Sequence, residues 1–285
     1  MGILFVLLSV GCSLLIAHLL KYCEQYNLRL FRVLTVNYAV ASVVAYGMST
    51  SSGPFPLYNI PLWLTGLIII TGFIFIFNFV IYSRSINTNG VGVSIAAMRI
   101  SLLIPVSISI LFFGELLTGW KTLGIFIVII SLFLLIFSRP TLSKITVNNH
   151  IYLLVLFFFT GIGDAALKIY QVSGSLYIDK SLFMSGIFIF AFLTGVILSI
   201  RKGGPFITKK ELLMGLWIGI PNLFSSIFLI KALDYSSGSF VFSLVNVLIV
   251  IGGALIGKIY WRDYITKRQY AGMGLALLAI VLLWI

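Results

Sequence analysis

The chain has 285 residues, of which 60% are hydrophobic and 9% charged, against roughly 25% charged residues in an ordinary soluble domain. That composition excludes a soluble enzyme or regulatory domain. The 19 basic residues exceed the 7 acidic ones by a net +12, but they sit in short breaks between apolar runs, which argues for orientation in an anionic membrane and against a nucleic-acid partner.

In chain order the apolar runs cover residues 3–21, 31–48, 60–82, 90–112, 119–138, 150–170, 181–200, 211–231, 238–258 and 267–285. Each is close to the ~20 residues needed to cross about 30 Å of hydrocarbon. The runs are continuous rather than alternating, and lipid leaves no partner for an open backbone, so the spans are predicted to be helices and not barrel strands. The expected fold is an all-α polytopic membrane protein with ten transmembrane helices. The second span opens on Arg29 and Arg32, and the sixth carries Asp164 and Lys168, which makes these two the least apolar. The first span lacks a basic leader and a small-residue cleavage site, so it reads as retained. Cys12 and Cys23 fit neither a disulfide framework nor a metal site.

The stretch from Gly90 to Gly124 recurs 148 positions later, pairing Gly90 with Gly238, Glu115 with Asp263, Thr118 with Thr266 and Gly124 with Gly272. The shared order is glycine, apolar run, acid, threonine, glycine, apolar run, and it predicts an internal duplication. One repeat covers 1–140 and the second 150–285, joined by a linker at 141–149. Five spans per repeat is an odd number, so the second copy enters the membrane from the opposite side, as in transporters that hold a site between inverted repeats. The breaks after spans 1, 3, 5, 7 and 9 hold fourteen Lys and Arg residues, whereas the other side holds Lys121, Lys180 and Lys231. Positive charge marks the cytoplasmic face, so both termini are predicted to be non-cytoplasmic.

Motifs of soluble chemistry are missing. There is no HExxH and no GxSxG, and the two histidines, His18 and His150, are isolated. Gly252 to Ile259 resembles a phosphate-binding loop but lacks its terminal Ser or Thr and lies inside an apolar run. Gly253 with Gly257, and Gly215 with Gly219, read better as small-xxx-small faces for close helix packing.

Ionisable residues inside spans are costly and face a partner or a wet cavity. Three qualify: Arg99, Asp164 and Lys168. Asp164 and Lys168 share a helical face and can pair structurally or line a transport cavity. Arg99 lies mid-span, where it needs either a cavity or a pair with Asp164. The net +1 of the three suggests a substrate bearing a carboxylate or phosphate. Polar neutral residues follow helical spacing at Ser239, Ser243 and Asn246; Asn222 follows Pro221, and Asn78 lies in the third span. Asn37 and His18 are weaker candidates, because single polar groups often bond between helices. Glu115, Thr118, Asp263 and Thr266 form a structural motif at the membrane surface: the acid and threonine set each hairpin, and Thr266 with Gln269 has capping-box spacing.

Ten spans in two halves, with Gly114-Glu115-x-x-Thr118 and a glycine-containing helix ending the first half, resemble the drug/metabolite transporter superfamily, in particular its EamA-like branch. Pro221-Asn222-Leu223-Phe224-Ser225 leading to Lys231-Ala232-Leu233 and the Asn246 region adds to the likeness, while the second motif departs by reading Arg262-Asp263. The resemblance implies a basket of helices around a central cavity and secondary-active, alternating-access transport of a small polar metabolite, anionic or zwitterionic, such as an amino acid or sugar derivative. It implies a transporter and not an enzyme, without a cofactor, in a bacterial plasma (inner) membrane. Its partners are a small-molecule substrate, the lipid bilayer and a proton or coupling ion, with no nucleic acid; a homodimer is compatible with it. The principal alternative is a membrane-embedded enzyme acting on a lipid-linked substrate.

Overall fold

A computed structural model describes residues 1–49, 60–89, 91–136, 150–201, 207–260 and 266–284. The described residues are predominantly helical, with no strand among them. The helices are α1 (Gly2–Gln25), α2 (Leu30–Gly47), α3 (Leu62–Asn89), α4 (Val91–Ile100), α5 (Leu103–Leu111), α6 (Gly119–Ile136), α7 (His150–Ile169), α8 (Lys180–Arg201), α9 (Lys209–Tyr235), α10 (Gly238–Tyr260) and α11 (Lys267–Trp284). A five-residue π turn, Tyr170–Gly174, extends α7.

Among the described residues seven stretches are long and apolar enough to cross a membrane: Gly2–Gln25, Leu30–Gly47, Leu62–Tyr82, His150–Gly174, Lys180–Ile200, Lys209–Tyr235 and Gly238–Tyr260. Ala97–Leu111 and Gly119–Leu134 are shorter apolar helices. Large apolar side chains including Leu62, Phe126, Trp217 and Val281 face outward. Such a surface is a liability in water and matches a lipid solvent.

The fourth apolar run, expected as one helix, is interrupted at Ser101 and Leu102, so α4 and α5 are separate segments. Pro105 supplies the cause. It has no N–H to donate to the Ser101 carbonyl, and its ring crowds that oxygen. The Ser101 carbonyl is instead reached by the Ile104 N–H at 2.9 Å, a tighter turn, while the Ser101 hydroxyl donates to the Met98 carbonyl. Apolarity continues through the break, so hydropathy alone does not reveal it.

The chain forms two compact units, and each draws on both ends of the sequence. The first comprises Met1–Phe77 and Ala166–Asp234. Within it α2 packs on α8. Glycines set the close approaches: Gly72 of α3 lies against the Ile187 carbonyl of α8, and Gly215 and Gly219 of α9 lie against Val36, Asn37 and Val40 of α2. Two polar caps hold the helix starts. Asp179 Oδ1 accepts from the Ser181 and Leu182 N–H groups, both at 2.9 Å, at the start of α8. Glu211 Oε2 accepts from the Thr208 N–H at 2.8 Å and Oε1 from the Arg29 N–H at 3.2 Å, and the same carboxylate meets Arg32 at 3.8 Å. A buried carboxylate serving two helix starts and a buried arginine explains how a span opening on Arg29 and Arg32 is accommodated.

The second unit comprises Asn78–Ala165 and Tyr235–Ile285. Here α6 pairs with α11, and α10 packs on α5, α6 and α11. Gly124 of α6 sits against Leu283 of α11. Gly253, expected as part of a packing face, has open space around it, which corrects that expectation; Gly215 and Gly219 do pack closely. The contrast gives a paired expectation. Gly215→Leu should destabilise the protein by about 1–3 kcal/mol through overpacking, whereas Gly253→Leu should stay within about 0.5 kcal/mol. Thermal unfolding of the two variants in one detergent checks it.

Candidate functional site

Five of the seven residues singled out from sequence for substrate contact lie in the second unit: Asn78, Arg99, Asp164, Ser243 and Asn246. Four helices bring them there. α3 and α7 meet through Asn78, whose Nδ2 donates to Thr160 Oγ1 at 3.1 Å; the Thr160 hydroxyl lies 3.3 Å from Asn78 Oδ1. Immediately after Thr160, Gly161 lets α7 press against the α4/α5 interruption. A side chain there would collide with Ile104 and with the Ser101 carbonyl. Asp164 follows three residues later on the same face.

Arg99 lies in the last turn of α4, where a cation complements the negative end of the helix. Its Nη1 donates to Asn246 Oδ1 of α10 at 3.2 Å. Asn246 is held for this task, because its own Nδ2 donates to the Phe242 carbonyl at 2.9 Å, which turns Oδ1 outward from its helix. Asp164 and Tyr82 both interact electrostatically with Arg99. Among the described residues the Asp164 carboxylate accepts no hydrogen bond. As whole residues Arg99 and Asp164 are both only partly buried. Ser243, one turn before Asn246, is fully buried with its hydroxyl lacking a hydrogen-bond partner among the described residues.

Sequence reasoning missed Thr160 and Tyr82. The available signal was helical spacing, since Tyr82 lies four residues after Asn78 on α3 and Thr160 four before Asp164 on α7. Neighbouring hydroxyl pairs extend this end of α3: Ser85 and Ser94 lie 2.7 Å apart, and Asn89 Nδ2 donates to Ser85 Oγ at 3.3 Å.

Asn222 and Lys168 belong to the first unit. Asn222 Nδ2 donates to Asn37 Oδ1 of α2 at 3.1 Å, and its carbonyl accepts from Ser225 Oγ and Ser226 Oγ. That carbonyl follows Pro221, whose missing N–H loosens the helix. In the same unit Asn37 Nδ2, the Tyr38 hydroxyl and Thr71 Oγ1 are buried without hydrogen-bond partners among the described residues. Lys168 is buried and its Nζ donates to Gln171 Oε1 at 3.3 Å.

The structural motif divides as follows. Glu115 does more than shape its own hairpin: Oε1 accepts from the Gly238 N–H at 2.6 Å and Oε2 from the Ser239 N–H at 3.0 Å, so one carboxylate caps the start of α10. Gly114 adopts a left-handed backbone with φ of 63° just before it. Thr118 Oγ1 accepts from the Lys121 N–H at 3.3 Å at the start of α6. Thr266 and Gln269 exchange the two bonds of a capping box, with the Thr266 N–H donating to Gln269 Oε1 at 2.9 Å and the Gln269 N–H to Thr266 Oγ1 at 3.3 Å. Asp263 lies outside the described residues, as does Gly90. Among the described residues no group of three or more His, Cys, Asp or Glu is placed to hold a metal ion.

The Arg99–Asn246 bond has a direct test. Asn246→Leu should lower stability by about 1–3 kcal/mol, the cost of leaving a charged donor without its acceptor. Thermal unfolding reads the loss, and an unchanged midpoint would mean that the bond contributes nothing.

No protein-family model matches the chain. It is 28% identical over 294 aligned residues to an uncharacterized protein of Haemophilus influenzae, covering 97% of this chain and 96% of that one. A protein of known crystal structure aligns with a TM-score of 0.72 at 11% identity, covering 99% of this chain and 95% of the other. At that identity the likeness concerns the fold alone.

Proposed function

We propose that this protein is a secondary-active transporter that carries a small polar metabolite across a membrane by alternating access. The observation that carries the reading is Arg99, bonded to Asn246 and under the electrostatic influence of Asp164, beside the interruption between two apolar helices. Charged groups within apolar helices are expensive and mark substrate or ion paths. Interrupted helices are a recurrent means of building midplane sites in carriers.

In this reading α4 and α5 together make one broken span, and the chain crosses the membrane ten times as two inverted five-helix repeats, 1–140 and 150–285. The excess of Lys and Arg in alternate breaks puts both termini on the non-cytoplasmic face of a bacterial inner membrane. The likeness to the EamA-like branch of the drug/metabolite transporters, carried by Gly114-Glu115-x-x-Thr118, agrees with such a carrier. Substrate binds around Arg99, Asp164, Asn246 and Asn78, and a proton or ion supplies the driving force.

The test is counterflow. Proteoliposomes loaded in turn with organic acids, amino acids and sugars should accumulate the matching radiolabelled solute from outside for at least one class. Absence of counterflow for every class, together with turnover of a lipid-linked substrate by the same preparation, would replace this reading by that of a membrane-embedded enzyme.

A further inference from the structure

We infer that the first unit carries a site for one anionic phospholipid, its phosphate held by Arg29, Lys209 and Lys210 and one acyl chain laid along the outer face of α9. The inference rests on the apolar helices as membrane spans and is independent of the carrier reading. Three observations converge on it.

First, a buried acid gathers exposed cations. Glu211 Oε1 accepts from the Arg29 N–H at 3.2 Å and Oε2 from the Thr208 N–H at 2.8 Å, so the starts of α2 and α9 lie side by side. Arg29 and the two residues after Thr208, Lys209 and Lys210, therefore share one end of the unit, and all three are exposed. The carboxylate that brings them together does not neutralise them. It is buried and meets the buried Arg32 at 3.8 Å, while the side chains of Arg29, Lys209 and Lys210 make no ion pair among the described residues. Glu24, exposed on α1, lies two residues from both Tyr22 and Tyr26 and so on the opposite side of that helix. What remains at the surface is an uncompensated trio of cationic donors, which suits a phosphate.

Second, aromatic rings fix the depth. Lys210 Nζ stands over the Tyr26 ring, 5.8 Å from its centroid, and the Tyr22 and Tyr26 rings lie 4.4 Å apart. Tyrosine side chains at the ends of spans sit at the level of lipid headgroups, and the negative face of the ring holds the ammonium group there. The contact joins the end of α1 to the start of α9, so the phosphate site draws on three helices.

Third, an apolar track leads away from the cations. Lys210, Leu213, Trp217 and Ile220 fall at i, i+3, i+7 and i+10 of α9, on one face. All four are exposed, and Trp217 is the most exposed of the three apolar ones at 66%. Seven residues of helix place Trp217 about 10 Å from Lys210 along the axis, below the headgroup level and beside an acyl chain. The inner face of the same helix is occupied, with Ile218 buried against Cys23 of α1 and Val33 of α2. A soluble anion would use the cations alone, and a neutral lipid the stripe alone. An anionic phospholipid uses both, and basic pockets between spans are a recurrent means of holding such headgroups.

Trp217 is its own reporter. The full chain is reconstituted in vesicles of phosphatidylcholine and phosphatidylglycerol, with bromine on the acyl chains of one lipid or of the other, and quenching of tryptophan fluorescence gives the relative affinity of the two lipids. Trp217→Phe identifies the share of the signal that belongs to this site. There phosphatidylglycerol should be preferred at least about tenfold, a difference that two or three cations at about fivefold each supply. Lys209→Gln with Lys210→Gln should abolish most of that preference. Lys267→Gln with Arg268→Gln, which removes the same charge from the start of α11, should leave it intact. Inorganic phosphate in large excess should not displace the lipid. Equal quenching of the native protein by the two brominated lipids would overturn the site without recourse to any variant. A preference that persists in Lys209→Gln with Lys210→Gln would also overturn it. So would an equal loss in both double variants, which would reduce the effect to net charge, or displacement by phosphate, which would assign the cations to a soluble anion. Absence of counterflow removes the carrier reading and leaves this site standing.

Discussion

Replacing Glu115 by alanine is expected to lower stability by about 2–3 kcal/mol, the combined cost of losing a helix cap and charge-assisted hydrogen bonds. The carboxylate accepts from the Gly238 N–H at 2.6 Å and the Ser239 N–H at 3.0 Å, the first donors of α10. A negative charge at that position also complements the positive end of the helix. Without it two N–H groups lose their acceptor, and the start of α10 frays. The consequence reaches the site, because Ser243 and Asn246 lie one to two turns further along the same helix. Glu115→Gln keeps one acceptor oxygen and should lose about half as much. Thermal unfolding in detergent measures both variants, and equal midpoints for native protein and Glu115→Ala would show that the cap does not contribute.

Gly161→Ala is the second change with a large expected effect. An added Cβ would stand 2.8 Å from both the Ile104 Cβ and the Ser101 carbonyl oxygen. Both atoms are fixed to the backbone, so a rotamer change gives no relief and α7 must move away from the α4/α5 interruption. Overpacking of this kind costs about 1–3 kcal/mol. The displacement carries Asp164 away from Arg99, so substrate affinity should fall at least about tenfold. Ile104→Ala in the same chain removes part of the obstruction and should restore part of both losses, a coupling that independent sites do not show. Calorimetric binding and thermal unfolding on the single and double variants check this. Additive effects would mean that Gly161 and Ile104 do not meet.

These two residues also illustrate what the sequence conveyed and what it did not. The helices were legible because hydrocarbon length imposes a run length on any spanning segment, and each of the seven long apolar helices falls on a run read from the sequence. The interruption at Ser101 was not legible, because Ser101 and Leu102 do not dent an apolar run and the effect of Pro105 is conformational, not hydropathic. Capping by Thr266 and Gln269 was readable since partners three residues apart obey a local rule. Capping of α10 by Glu115 links positions 123 residues apart, and no local rule contains it.

The site shows the same division. Arg99, Asp164 and Asn246 stood out individually, because charge and amide groups are rare in apolar helices. That Arg99 bonds Asn246, and that Asn222 answers to Asn37 in the other unit, depends on which helices neighbour each other. Thr160 and Tyr82 escaped notice because hydroxyl residues are common in such helices, and only their spacing from Asp164 and Asn78 marks them. Gly253 and Gly215 look alike in sequence, yet one faces open space and the other a neighbouring helix. Small residues permit close packing without requiring it.

The central proposal, that substrate reaches Arg99, Asp164 and Asn246 from water, is tested most directly by thiol accessibility. Cys12 and Cys23 are free and can be replaced by serine, so that Asp164→Cys supplies the single thiol. Charged, membrane-impermeant thiol reagents applied to both faces of proteoliposomes should modify that position, a readout that needs no bound solute. Modification only by a lipid-soluble maleimide would place Asp164 against lipid and contradict the account.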